Sequence, residues 1–286
     1  MLDSVRAAAI PLNSHPGCTR RNLEAVAGAC ARAAARRAAL ALFPELSLTG
    51  FLPNHPVGDH NAWLREALRT ARAIAEPLDG PAVEGLIRIA RECGIAIAAG
   101  LLEDAGNVLY NTCVLATPAG LAGTWRKLHV PMFEMPFYNG GPAPHVAAAP
   151  LGRIGANICF DALMPESTRL LAVENVEIVL FPFAADPPPG TAEAWAAWAG
   201  PALRARCAEN GVFGVACNYA GPVACAGAQQ EFPGGAMIVG PRGEILEQTS
   251  DMALAELRAE DLRAARAEPE YLFRFRRPEI YGPLAS

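Results

Sequence analysis

Short apolar runs alternate along the chain with stretches in which apolar residues recur at helical spacing. Val5 to Pro11 is an apolar run closed by a proline and predicts a first strand. Thr19 then reads as the N-cap of a helix whose apolar face is Leu23, Val26 and Cys30, with arginines on the opposite side. Leu40 to Phe43 predicts a buried strand stopped by Pro44. A helix over Ala82–Glu92, with Val83, Leu86, Ile87 and Ala90 on one face, is ended by Gly94 and followed by the buried run IAIAAGLL. Tyr110 to Ala116 and Leu121 to Trp125 flank a Thr-Pro-Ala-Gly turn and predict a hairpin.

The second half repeats the alternation. Gly152 to Ile158 predicts a strand, Pro165 and Glu166 open a helix through Val173, and Glu177 to Phe181 predicts a strand stopped by Pro182. A helix from Pro201 to Glu209, Gly211 and a strand from Val212 to Asn218 follow. A closing hairpin pairs Ala236–Val239 with Glu244–Glu247 around Pro-Arg-Gly. Hairpins interrupting the alternation predict mixed sheets rather than a purely parallel one. No repeat or flexible linker divides the chain, although Pro187, Pro188, Pro189 and Gly190 mark a stiff loop. The expectation is one domain over residues 1–286 with a C-terminal tail from about 263.

Of the 286 residues 52% are hydrophobic and 19% charged, enough apolar material for a full core. The net charge of -5 disfavours a nucleic-acid partner, which calls for a basic face. The alanine-rich stretch from Ala31 to Ala41 carries Arg32, Arg36 and Arg37, so no membrane span or membrane partner is expected. The opening MLDSVRAAAIPLN has Asp3 and lacks the cationic start of an export signal, which sets the cytoplasm as the expected location. Eight cysteines (18, 30, 93, 113, 159, 207, 217 and 225) in a chain of this size read as reduced thiols, mostly buried. None forms a CxxC pair, and the five histidines are scattered without ligand spacing, so no metal is expected.

One cysteine stands in a different setting. Cys159 closes the strand GRIGANI immediately before a turn into a helix, where backbone N–H groups and a helix N-terminus favour a thiolate and can hold a developing oxyanion. Taken alone, a cysteine at the end of a buried strand is a packed core residue. Two further strand ends change that reading. FPELSLTGF puts Glu45 after a buried strand and TWRKLHVP does the same for Lys127, so a base, a cation and a nucleophile are delivered to strand ends, a set suited to amide hydrolysis. Singly, Glu45 also reads as a solvated carboxylate and Lys127 beside Arg126 as a surface pair.

The segments FPELSLTGF, WRKLHVP, GRIGANICFDALMPE, RARCAENGVFGVACNYAG, GGAMIVGPRGEIL and RRPEIYG together resemble the nitrilase, or carbon-nitrogen hydrolase, superfamily from the first strand to the tail. The resemblance implies an α/β fold, a four-layer αββα sandwich of two mixed β-sheets covered by helices. It implies a Glu45–Lys127–Cys159 triad that needs no cofactor and no metal, and pairing of protomers into a homodimer or higher homo-oligomer. A second glutamate in the family matches Glu134, seven positions after Lys127, with a structural carboxylate as the competing reading. Lys127 and the backbone N–H of Phe160 are the expected oxyanion donors. Tyr138, Phe183, Trp195 and Asn218 are candidate substrate-binding residues, with Asn157 a further pocket candidate and ordinary packing the alternative for each. Asp161, Glu166 and Arg169 read as residues fixing the elbow, and His129 as structural.

Cys159-Phe160-Asp161 resembles the amidase and carbamoylase pattern rather than the CWE of true nitrilases. Ala162 and Leu163 stand where an arginine would pair with a substrate carboxylate. A small neutral carboxamide is therefore the expected substrate. An N-carbamoyl amine or amino acid, a nitrile, and a catalytically silent scaffold stay open as alternatives. A thiol redox protein would require a resolving cysteine, and no sequence neighbour of Cys159 supplies one.

Overall fold

The computed structural model describes residues 1–54 and 59–285. The strands are β1 (Ser4–Ala9), β2 (Leu40–Leu42), β3 (Ala96–Asp104), β4 (Leu109–Thr117), β5 (Gly120–Arg126), β6 (Ala147–Ala149), β7 (Gly152–Ala156), β8 (Ile178–Phe183), β9 (Phe213–Asn218), β10 (Ala220–Cys225), β11 (Ala228–Pro233), β12 (Ala236–Val239), β13 (Ile245–Thr249) and β14 (Ala253–Arg258). The helices are α1 (Thr19–Ala35), α2 (His60–Ile74), α3 (Pro81–Cys93), α4 (Pro165–Val173), α5 (Ala192–Asn210) and α6 (Ala259–Ala267).

Two six-stranded mixed sheets result, in the orders β14-β1-β2-β3-β4-β5 and β13-β12-β9-β8-β7-β6. In each, three central strands run parallel (β1, β2, β3 and β7, β8, β9) and the flanking pairings are antiparallel. Alternation along β1 shows how the layers separate. Val5, Ala7 and Ala9 join the core between the sheets, whereas Ala8 and Ile10 pack with Val26, Ala29 and Ala33 of α1 and Val83, Leu86 and Ile89 of α3. On the far side, Trp195, Ala199, Leu203 and Cys207 of α5 and Leu171 of α4 cover the second sheet. The fold is therefore the expected αββα sandwich.

Most boundaries fall within a residue or two of expectation, and the exceptions have local causes. Thr19 is not the cap of α1 but its first residue. Cys18 occupies the N-cap without a side-chain bond, and the Thr19 hydroxyl instead donates to Glu76 at 2.5 Å. Pro182 does not stop β8, which continues through Phe183. Leu180 O faces β7 and accepts from Asn157, so Pro182, two residues on, faces the same side, where β7 has already ended and no ladder bond is lost. The helix expected from Pro201 begins at Ala192, capped by the Thr191 hydroxyl at 3.1 Å, and carries Pro201 inside it. Position 263 lies within α6, and short 3-10 turns over Leu272–Phe275, Pro278–Ile280 and Gly282–Ala285 follow. Helix α2 and the β10–β11 hairpin were not anticipated.

Candidate active site

Sheet one supplies the charged side chains and sheet two the thiol. Glu45 follows β2 in a turn that lies along β3, where Ser47 Oγ accepts from Gly100 N at 3.3 Å and Thr49 Oγ1 from Leu102 N at 2.8 Å. That approach is close enough to require glycine at position 100. A Cβ there would stand 2.2 Å from Leu46 N and 2.9 Å from the Glu45 carbonyl carbon. Lys127 follows β5, and its backbone N–H donates to Asn111 O of β4 at 2.8 Å. Cys159 follows β7 at the head of a 3-10 turn, Cys159–Leu163, that leads into α4. Its φ of +49° lies in the left-handed region, a strain of about 1–3 kcal/mol that the surrounding structure sustains.

The side chains converge on the amine of Lys127, which is fully buried. Lys127 Nζ donates to Glu45 Oε1 at 2.7 Å and to Glu134 Oε2 at 2.6 Å. Asn111 Nδ2 also donates to Glu45 Oε1, at 2.6 Å, and to the Tyr138 hydroxyl, at 3.2 Å. Tyr138 in turn donates to Glu134 Oε2. An ammonium has three hydrogens and two are taken by carboxylates, which leaves one for a substrate oxygen.

Electrostatics follow from this burial. Desolvation pushes the Glu45 carboxyl above its usual range, opposed by the Lys127 ammonium and by hydrogen bonds from Lys127 and Asn111. The Lys127 ammonium is also desolvated, yet its pKa is held well above the ordinary lysine value. Glu45 and Glu134 are its counter-charges, since Tyr138 and Cys159 are themselves kept neutral by burial. The Cys159 thiol is pushed up by burial and then by Glu45, against the pull of Lys127 and of a hydrogen bond from Ala184 N–H. This reverses the expectation that the strand-to-helix corner favours a resting thiolate: dehydration and two carboxylates outweigh the backbone dipoles.

The other anticipated residues divide. Tyr138 joins the charged cluster rather than an open wall. Phe183 and Trp195 are fully buried and pack edge to face at 5.7 Å, behind the segment whose Ala184 N–H meets the Cys159 sulfur. Asn218 fixes that segment: its Oδ1 accepts from Ala185 N at 2.9 Å and its Nδ2 donates to Ala185 O at 2.8 Å. Asn157 accepts from the Thr168 hydroxyl at 2.7 Å and so joins the elbow to α4. Phe160, half-buried, opens the 3-10 turn. Asp161 accepts backbone N–H groups from Ile158, Leu128 and His129, while Arg169 packs at 5.3 Å over Phe273 of the C-terminal turns. Asn111, Ala184 and Gly100 were missed; only Asn111 left a trace, as a polar residue inside the apolar run YNTCVLAT.

Among the described residues no group of His, Cys, Asp or Glu is arranged to hold a metal ion, and no helix is long and apolar enough to cross a membrane.

Residues 6–267 match the carbon-nitrogen hydrolase family model. An (R)-stereoselective amidase of a Pseudomonas species is 30% identical over 267 residues, covering 92% of this chain and 88% of its own. A nitrilase of Pyrococcus abyssi is 30% identical over 250 residues, 85% of this chain and 86% of its own. A solved structure of a Nesterenkonia amidase, a glutamate-to-glutamine mutant with the acetamide moiety of fluoroacetamide added covalently to its active-site cysteine, superposes with a TM-score of 0.75. It is 26% identical, over 98% of this chain and 97% of that one. With a matching family model over most of its length, the αββα sandwich and a buried Glu, Lys and Cys at strand ends, the chain belongs to the carbon-nitrogen hydrolase family.

Proposed function

We propose that the chain hydrolyses the carbon-nitrogen bond of a small linear carboxamide through a thioester on Cys159, releasing ammonia and a carboxylic acid. The observation that carries this reading is the buried Lys127 ammonium, bound to both Glu45 and Glu134 beside the Cys159 thiol. Because the thiol rests protonated, attack needs a base. Glu45 takes the S–H proton as sulfur bonds to the carbonyl carbon, and the carbonyl oxygen gains charge against the remaining Lys127 hydrogen and the Phe160 N–H. Glu45 then protonates the departing nitrogen, the C–N bond breaks and ammonia leaves. Water deprotonated by Glu45 attacks the thioester, and the acid is released as Cys159 recovers its proton.

A small neutral substrate fits the surroundings of Cys159. Ala162 is fully buried and Leu163 offers no charge, while Arg206 is occupied with the Ala162 and Leu163 carbonyls and with Glu209. An N-carbamoyl amine is the second reading, because it presents the same terminal carboxamide to the same groups. The proposal extends to a cytoplasmic homodimer or higher homo-oligomer. Eight free thiols match a reducing compartment, and Leu170, Val173, Trp198, Phe275 and Ile280 expose apolar surface on α4, α5 and the C-terminal turns.

The test presents one acyl group as amide, N-carbamoyl amine and nitrile, with ammonia detection and intact mass of the trapped enzyme. Faster release from the amide and an acyl adduct on Cys159 are expected. Preference for the nitrile overturns the substrate assignment, and no release from any compound returns the chain to a silent scaffold.

A further inference from the structure

The hydrogen bonds around Lys127 close into a ring: Lys127 to Glu45, Asn111 to Glu45, Asn111 to Tyr138, Tyr138 to Glu134, and Lys127 to Glu134. Every donor in it is committed in a definite direction. The Asn111 amide spends both Nδ2 hydrogens, one on a carboxylate and one on a phenol, so only its NH2 end can face Glu45. Both ring bonds to Glu45 end on the same atom, Oε1. Its other oxygen, Oε2, is buried and has no hydrogen-bond partner among the described residues. A carboxylate oxygen kept dry and unpaired is costly, and the carboxylate that carries it lies near enough to the buried Cys159 thiol to act on it electrostatically.

We infer that Asn111 is a positioning residue that divides the labour between the two oxygens of Glu45: it pins Oε1 together with Lys127 and leaves Oε2 as the atom that takes the proton from Cys159. This rests on the hydrolytic reading above and deepens it, for that reading needs a base but does not say which oxygen acts or what selects it. Lys127 alone would let the carboxylate rotate about its last torsion and offer either oxygen to the ammonium. A second donor on Oε1 from β4, a strand of the rigid sheet, fixes the choice. The same residue sets the height of Lys127 through its backbone carbonyl, so one asparagine orients both the base and the cation.

Asn111 also bears on the proton affinity of Glu45. Burial pushes that affinity up, Lys127 draws it down, Glu134 pushes it up, and the hydrogen bonds from Lys127 and Asn111 draw it down; Tyr138 and Cys159 face the same cluster as neutral groups. Removing the Asn111 donor therefore protonates Glu45 at higher pH and frees it to turn.

The experiment follows the pH dependence of Cys159 alkylation by iodoacetamide, read by peptide mass so that the other seven cysteines do not interfere. The S–H proton passes to Glu45, the C–S bond forms and iodide leaves, so the readout needs proton acceptance but no hydrolysis. Asn111→Leu, which keeps the volume, is expected to slow labelling at neutral pH by about tenfold or more, the weight of a hydrogen bond to a charged group, and to move the acid limb to higher pH. Tyr138→Phe, which opens the ring at its other arm, is expected to shift the curve the same way by less, and it decides the matter if Asn111→Leu does not fold. Glu45→Gln is expected to lose labelling most. Curves for Asn111→Leu, or in its absence Tyr138→Phe, that superimpose on wild type while Glu45→Gln falls would overturn the role of Asn111. A Glu45→Gln curve identical to wild type overturns the assignment of Oε2. If wild type releases no ammonia from any amide, the proposed reaction fails, and the alkylation curves still decide this inference.

Discussion

Asp161 reaches from the turn after Cys159 to the loop after Lys127 and accepts both the backbone N–H of His129, at 2.8 Å, and its ring nitrogen, at 2.9 Å. The turn of Cys159 and the loop of Lys127 are thereby tied by one buried carboxylate. The hydrogen bond that the His129 ring donates to Asp161 raises the His129 pKa above its ordinary value, against a smaller effect of burial. A raised folded-state pKa means that the stabilisation is fully present below about pH 6.5, the unfolded value, and fades as pH climbs through the folded one. Thermal melts of wild type and His129→Gln from about pH 5.5 to about pH 8.5 should show wild type ahead at the acid end and the two converging at the alkaline end. A constant gap would mean that the ring contributes packing alone.

Cys159→Ala should abolish turnover and leave the melt close to wild type. The residue occupies a left-handed turn, where alanine and cysteine carry the same backbone strain. Cys159→Ser should be nearly as inactive, because Glu45 is matched to a thiol and an alcohol holds its proton far more tightly. Ammonia release at the wild-type rate from Cys159→Ala would refute the nucleophile.

Glu134→Gln tests charge at constant shape. Lys127 keeps its ammonium against burial through two carboxylates, and removing one shifts that balance while Glu45, now the sole counter-ion, becomes a poorer base. Turnover should fall by about a hundredfold or more, the scale of a lost electrostatic contribution to the transition state. Steady-state kinetics beside a melt separates this from damage to the fold; unchanged turnover would make Glu134 a structural carboxylate.

Gly100→Ala acts on the base from behind. The new methyl would meet the backbone of Leu46 and Glu45, which cannot move aside as a side-chain tip can. About 1–3 kcal/mol of destabilisation is expected, with kcat reduced more than KM is raised, because the displaced group is the proposed proton acceptor. A melt and kinetics indistinguishable from wild type would show that the Glu45 turn is free to shift.

The residues legible in the sequence were those announced by strand ends. Glu45, Lys127 and Cys159 each follow an apolar run, and a side chain just past a buried strand is delivered to the rim whatever its partners are. Asn111 and Ala184 were not legible for a different reason. The part Asn111 plays depends on a register that pairs Thr112 with Arg126 and so sets Lys127 beside it, and Ala184 contributes a backbone N–H that no side-chain pattern encodes. Thr19 misled because a hydroxyl at a helix start can serve the helix or a distant carboxylate, and Glu76, 57 residues away, took it. Helix α2 is a different case: Trp63, Leu64, Ala67, Ala71 and Ile74 recur at helical spacing and pack in one cluster, a cue that the sequence does carry.

Glu45, Asn111 and Lys127 hang from the first sheet and Glu134 from the connection between β5 and β6, whereas Cys159 and the Ala184 amide belong to the second sheet. The halves of this site meet through the packing of the two sheets, where β1 and β2 lie against β9 and β3 against β8, and through the Asp161 carboxylate that ties the turn of Cys159 to the loop after Lys127. Either sheet could form its own ladder, complete in circular dichroism, and still have no chemistry. During refolding, activity should therefore lag behind secondary structure and report the docking of the two layers, the long-range step that closes last.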